Sequence, residues 1–268
     1  MKNKFYLLTI VLSSIFISCS SDDSNGDSSP TPDNSFSIPL SNGKYWTYDV
    51  VAQAGNSRDS LYISGDSIIG SNTYKRFEVK NDIATGFYSS SLRNNGVRES
   101  DNKLLLTGDL SLASGQQLPI ALDVSLIDFI IFKKNATLDE LLSTKTGTIQ
   151  QTVQGFPLTI NYTLRSKGGE SIPNYTSPNG DAYTNVRTSK ILLNASITTV
   201  QDFNGFPVTI TILSDQQILA STQYIANNIG VVYSNTVTTY TINQTIADQF
   251  GIPASDTQTQ EEFLDTYN

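Results

Sequence analysis

From Phe36 to the C-terminus, apolar and polar residues alternate in short runs rich in β-branched and aromatic side chains, separated by Gly, Asn, Asp and Pro. Alternation sends successive side chains to opposite faces, so these runs predict half-buried strands joined by tight turns. Tyr45–Val51 and Ser60–Ser64 follow this pattern, and Gly65-Asp66 fits a two-residue hairpin turn into Ser67-Ile68-Ile69. Gly70-Ser71-Asn72 turns the chain into Thr73–Val79, and Gly86–Arg93 and Lys103–Thr107 continue the series. Longer runs follow at Tyr183–Val200, Val208–Leu213, Gln217–Ala226 and Val231–Ile242. Neighbours joined by such short turns pair antiparallel.

Three segments depart from that texture. Within residues 118–135, Leu122, Leu126, Phe129 and Ile130 recur near helical spacing, whereas Phe129-Ile130-Ile131-Phe132 equally fits a buried strand; both assignments stand. Thr137-Leu138-Asp139-Glu140 has the spacing of a capping box and predicts a short helix from Leu138 to about Thr144. The tail carries Ser/Thr and early acids before Phe263 and Leu264, which predicts an amphipathic helix over residues 257–267. Gly155-Phe156-Pro157-Leu158-Thr159-Ile160 and Gly205-Phe206-Pro207-Val208-Thr209-Ile210 differ only by Leu for Val. Both fit a hairpin corner in which proline opens a strand. The fold expected is mainly β: a large curved antiparallel sheet or half-barrel of roughly 10 strands, with one or two short helices and a C-terminal helical tail.

The N-terminus reads differently. Lys2 and Lys4 precede a largely apolar run from Phe5 to Ile17, followed by the small Ser18 and the only cysteine, Cys19. This is the layout of a secretory signal peptide, and the run is shorter than the roughly 20 apolar residues needed to span a bilayer. Ser18-Cys19 at the end of that run resembles the lipobox of bacterial lipoproteins. The resemblance implies cleavage after residue 18 and acylation of the Cys19 thiol, including palmitate. Residues 20–34 hold only Ser, Asp, Asn, Gly, Thr and Pro, with nothing to bury, and read as a disordered tether reaching about 50 Å when fully extended. Ser20-Ser21-Asp22-Asp23 resembles the acidic export signal of Bacteroidota surface lipoproteins. Gly43-Lys44-Tyr45-Trp46-Thr47-Tyr48, Asp66–Tyr74, Tyr183-Thr184-Asn185-Val186 and Tyr224–Val232 are similar to phrases that recur in the same order in Bacteroidota lipoproteins. That resemblance implies a curved antiparallel sheet, broadly similar to the half-barrel of bacterial lipoprotein carriers, and brings no functional residues. The chain therefore divides into a signal peptide (1–18), a lipidated cysteine with its tether (19–34) and one β-rich domain (35–268). The outer membrane, facing the cell exterior, is the expected location, with the periplasmic face as the alternative.

Composition narrows the chemistry. Without residues 1–18, 250 residues remain, with 15 basic against 25 acidic side chains. Such an acidic chain is repelled by nucleic acid and by anionic headgroups, so attachment falls to acyl chains on Cys19. There is no histidine, and the sole thiol is committed to lipid. Ser-His-Asp and Cys-His catalysis and His- or Cys-ligated metals are thereby excluded. No catalytic residue, cofactor or metal is assigned.

The surviving chemistries are weak. Acids for a glycan hydrolase are Asp139 with Glu140, Glu261 with Glu262, or Glu78 and Glu99 singly, and the adjacent pairs read better as helix N-terminal charges. Asn179-Gly180-Asp181 offers oxygen ligands for calcium but reads better as a turn. Thirteen tyrosines invite stacking on sugars, or else line sheet margins with wet hydroxyls. Asp59-Ser60-Leu61 and Asp66-Ser67-Ile68 match the short O-glycosylation pattern of Bacteroidota. The expectation is a monomeric surface lipoprotein whose β domain binds a hydrophobic, glycan or protein ligand. The alternatives are a carboxylate-dependent glycan-active enzyme and a purely structural or adhesive component.

Overall fold

Two antiparallel meanders share one sheet, and the last strand of the chain joins them. The computed structural model describes residues 36–112, 122–153 and 155–268. The segments read as signal peptide, lipidated Cys19 and tether lie outside the described residues. The first meander comprises β1 (Tyr45–Ala52), β2 (Gly55–Ile69), β3 (Asn72–Val79), β4 (Gly96–Ser100), β5 (Lys103–Ser111) and β6 (Asp123–Lys133). The second comprises β7 (Leu141–Val153), β8 (Phe156–Thr176), β9 (Ala182–Phe203), β10 (Phe206–Ala226) and β11 (Gly230–Thr241). β12 (Ser255–Tyr267) pairs with β11 on one side and β1 on the other. The spatial order is β6-β5-β4-β3-β2-β1-β12-β11-β10-β9-β8-β7, twelve strands where roughly ten were expected.

The sheet curls into a nearly closed barrel, because its two edges, β6 and β7, are neighbours in the chain. Among the described residues no backbone ladder joins them. Serine hydroxyls bridge the seam instead. Ile130 N–H donates to Ser143 Oγ (3.0 Å), Ser166 donates to the Ile130 carbonyl, and Ser189 donates to the Ile131 carbonyl (2.6 Å). The interior is filled. Inward side chains such as Leu61, Ile63, Phe77, Leu106, Leu164, Leu193 and Leu219 pack around α1 (Phe87–Leu92), a helix with five of its six residues buried. Phe36 and the residues after it cover the end near the β10–β11 turn. Ser37 N–H donates to Asn227 Oδ1 (2.7 Å), and Phe36 lies against Phe132 with the Arg187 guanidinium over its ring.

Several expectations are corrected. Gly65-Asp66 does not turn the chain: β2 runs through it with a bulge between Ile63 and Gly65, a common role for glycine inside a strand. Gly86–Arg93 forms a helix rather than a strand. The segment 122–133 is strand, with Val124, Leu126, Phe129 and Phe132 buried. The capping box at Thr137 exists only in part. Glu140 accepts from Thr137 N–H (3.0 Å), but this closes a turn and the Thr-rich run beyond it is β7, paired along its length with β8. The expected C-terminal helix is β12. Its inward positions Gln260, Glu262 and Leu264 are buried at a period of two, and strands flank it on both sides. The second helix is α2 (Gln244–Phe250), where Asn243 Oδ1 accepts from Thr245 N–H (2.9 Å) and Gly251 closes the end at positive φ. The two Gly-Phe-Pro corners are hairpin tips as expected, with Phe203 opposite Phe206 and Val153 opposite Phe156.

Candidate functional site

Three inward side chains from two strands converge on the start of α1. Gly86 has no side chain with which to cap the helix, so its free amides are met from across the barrel. Asp59 of β2 accepts from Thr85 N–H (3.0 Å), the Thr85 hydroxyl (3.0 Å) and Gly86 N–H (2.7 Å). Gln260 Oε1 accepts from Phe87 N–H (2.7 Å), and Gln260 Nε2 donates to the Thr85 carbonyl (2.9 Å). Glu262 accepts from Tyr88 N–H (3.1 Å) and Ser89 N–H (3.4 Å). The approach is close enough to require glycine: a Cβ on Gly86 would stand 1.6 Å from Glu262 Oε1. Burial, and after it the Asp59 carboxylate, push the Glu262 carboxyl up to about 8 against the pull of its two amides.

Two buried acids, one of them raised, are what carboxylate catalysis asks for. Here the Asp59 oxygens are taken up by Thr85 and Gly86 just before α1, and the Glu262 oxygens by amides in its first turn. Among the described residues, two cavities beside α1 measure about 30 and 20 Å³ and are lined mainly by apolar side chains such as Trp46, Leu92, Phe129 and Ile131, with neither acid on their walls. A small-molecule site is typically about 300–1,000 Å³. Neither a sugar nor an acyl chain fits.

The acids singled out in the sequence are dispersed. Glu261 and Glu262 face opposite sides of β12: Glu261 points outward and accepts from the Tyr233 hydroxyl (2.5 Å). Asp139 pairs with Lys190 (3.4 Å), Glu140 with Lys133 (2.5 Å) and Glu99 with Lys134 (2.5 Å), while Glu78 accepts from Tyr62 (2.9 Å). Asn179-Gly180-Asp181 forms the β8–β9 turn, with Asn179 Nδ2 donating to Asp181 Oδ2 (2.8 Å). Among the described residues no group of three or more potential metal ligands occurs. Asp59-Ser60-Leu61 lies inside β2 with Asp59 and Leu61 buried; Ser60 faces an open trough of about 550 Å³ beside Tyr45, Tyr62 and Lys80. Asp66-Ser67-Ile68 sits near the β2–β3 turn, where Asp66 pairs with Lys75. The acids that do converge, Asp59 and Glu262, carry no local sequence signal that couples them.

The tyrosines form a ladder on the outer wall. Tyr175, Tyr224, Tyr233 and Phe263 follow one another at centroid separations of 4.6, 5.2 and 5.1 Å, with interplanar angles of 17°, 43° and 29°. Each ring turns its face to the next, and Tyr233 is buried with its hydroxyl bonded to Glu261 and Asn235, so an interior rung has no open face for a pyranose. The ladder braces β8 to β12, at about 0.5–1.5 kcal/mol per aromatic pair beyond simple burial. The other distinctive surface is the end of the long strands. Phe206, Phe203, Val200 and Val208 are exposed there, Phe206 at 73 %. No protein-family model, curated protein or solved structure matches this chain.

Proposed function

We propose that this protein is a lipid-anchored cell-envelope lipoprotein, attached through acyl chains on Cys19 and facing the cell exterior, whose β domain works by non-catalytic binding of a protein partner. The observation that carries the binding reading is the occupied interior: α1 fills the barrel, and Asp59 and Glu262 are engaged as its caps. Ligand recognition then falls to the outer surface. That surface offers apolar hairpin tips and a run without charges from Thr146 to Leu164, while its tyrosine ladder stacks on itself, which favours protein over glycan or lipid. Cross-linking on intact host cells, followed by mass spectrometry, tests this. The expected result is a polypeptide captured on the outer surface of residues 36–268 when Cys19 is present. Turnover of any envelope glycan by the purified protein would overturn it.

A further inference from the structure

The two edges of the sheet are built differently. On β6, Asp128 lies at φ 48° in an irregular stretch and takes a bidentate ion pair from Arg98 (2.9 and 2.7 Å) and a bond from Tyr74 (2.7 Å). Charge and irregularity on an edge are devices that prevent another strand from adding to it. β7 has neither over Thr146–Val153. No charged residue occurs from Thr146 to Leu164, in a chain of formal charge −8. The register with β8 is unbroken over these residues, and among the described residues no backbone hydrogen bond reaches their outer edge. Thr146, Thr148, Gln150 and Thr152 are exposed, and no residue of β7 is buried.

Two further features sit beside that edge. A surface cavity of about 290 Å³ is lined by Gln150, Gln151, Thr152, Leu158, Thr159 and Val200, among others. Gln151 Nε2 is enclosed there and, among the described residues, has no acceptor. The edge also runs toward the apolar tips, since Val153 faces Phe156 and β8 lies next to β9. This end lies far from Phe36: β10 spans 21 residues between Phe206 and the turn that Ser37 contacts.

We propose that Thr146–Val153 is a strand-addition site for an extended, uncharged segment of a partner polypeptide. The main-chain N–H and C=O groups of β7 along its unpaired edge supply the affinity. An uncharged strand suits this edge because it brings no charge to be desolvated against it. A second copy of this chain fits less well. Strands of this kind add antiparallel about a two-fold axis, which would point the Phe36 ends of two anchored molecules in opposite directions. The proposal rests on the binding reading above and names its partner.

The test is amide hydrogen exchange on the detergent-solubilised mature protein. The probe is a synthetic peptide of the sequence Phe156–Leu164, the uncharged strand that already pairs with the other side of β7. The peptide is expected to slow exchange across Thr146–Val153 by about tenfold or more while leaving the β2–β3 hairpin unchanged. The double variant Thr148→Lys/Gln150→Lys, altered only at exposed positions, should keep the wild-type circular dichroism and lose that protection. Absence of protection at millimolar peptide, or protection that survives in the double variant, overturns the proposal. So does a doubled mass by light scattering, without peptide, that the double variant abolishes, because the occupant would then be a second copy. Host cross-links that map to another outer surface also overturn it, while leaving the binding reading intact.

Discussion

An ionised Glu262 would be a charge 1 % exposed beside the Asp59 carboxylate, so the folded protein holds this carboxyl protonated up to about pH 8, against an ordinary value of 4.5. Between those values the folded state binds a proton that the unfolded chain has released. The contribution is therefore fully present below about pH 4.5, falls as pH rises, and is lost above about 8, a change on the order of 5 kcal/mol. Urea unfolding at about pH 5 and about pH 8.5 should show lower stability at the higher pH, and Glu262→Gln, which keeps one acceptor oxygen for the α1 amides and cannot ionise, should flatten that difference. An undiminished difference in the glutamine variant would assign the pH dependence elsewhere. Gly86 supplies the matching steric prediction. Gly86→Ala drives a methyl into Glu262 Oε1 and should cost about 2–3 kcal/mol in the same assay, with no strain from the backbone, since φ there is an ordinary −70°. None of this was legible in the sequence. The residues that cap α1 stand 27 to 174 positions away from the groups they bond, and Glu262 in isolation reads as a helix acid.

Local signals explain which elements were legible. Asn204 and Gly205, both at positive φ, make a two-residue hairpin turn from their own chemistry, and Gly70-Ser71 does the same between β2 and β3. α2 is written just as locally, in Asn243 as N-cap and Gly251 as terminator, although the strand texture around it hides the signal. β12 is the opposite case. Its inward face is Gln260, Glu262 and Leu264, so a polarity pattern cannot show that alternate residues are buried, and its state is set by β1 and β11 on either side. The difference has a measurable consequence. A docked terminal helix could be removed at modest cost, whereas removing residues 255–268 deletes the strand that joins the two meanders and half of the α1 cap. Truncation after residue 254 should abolish the cooperative thermal transition. A truncated chain that melted as the full one does would contradict the topology.

At the scale of the molecule, the proposed anchor at Cys19 and the described fold lie in separate segments of the chain. The described domain needs no disulfide, and its first buried side chain is Phe36. A fragment covering residues 36–268 should be soluble, monomeric and β-rich by circular dichroism. The β class and antiparallel pairing were legible because alternation and turn chemistry repeat along the whole chain. The near closure of the barrel was not, because it depends on a seam made by three serines and on a helix held inside.

The most direct test of the account compares wild-type protein with Cys19→Ser in the host. Each buried acyl CH₂ contributes about 0.8 kcal/mol, and a chain with 17 basic against 25 acidic side chains gains little from anionic headgroups in its place. Wild-type protein should stay in the membrane fraction through a high-salt wash, and Cys19→Ser should remain as uncleaved precursor or leave that fraction while its domain keeps the β spectrum. Cys19→Ser protein that is cleaved and yet stays with the membrane after the wash would contradict the account, because a surface of the domain itself would then hold the bilayer.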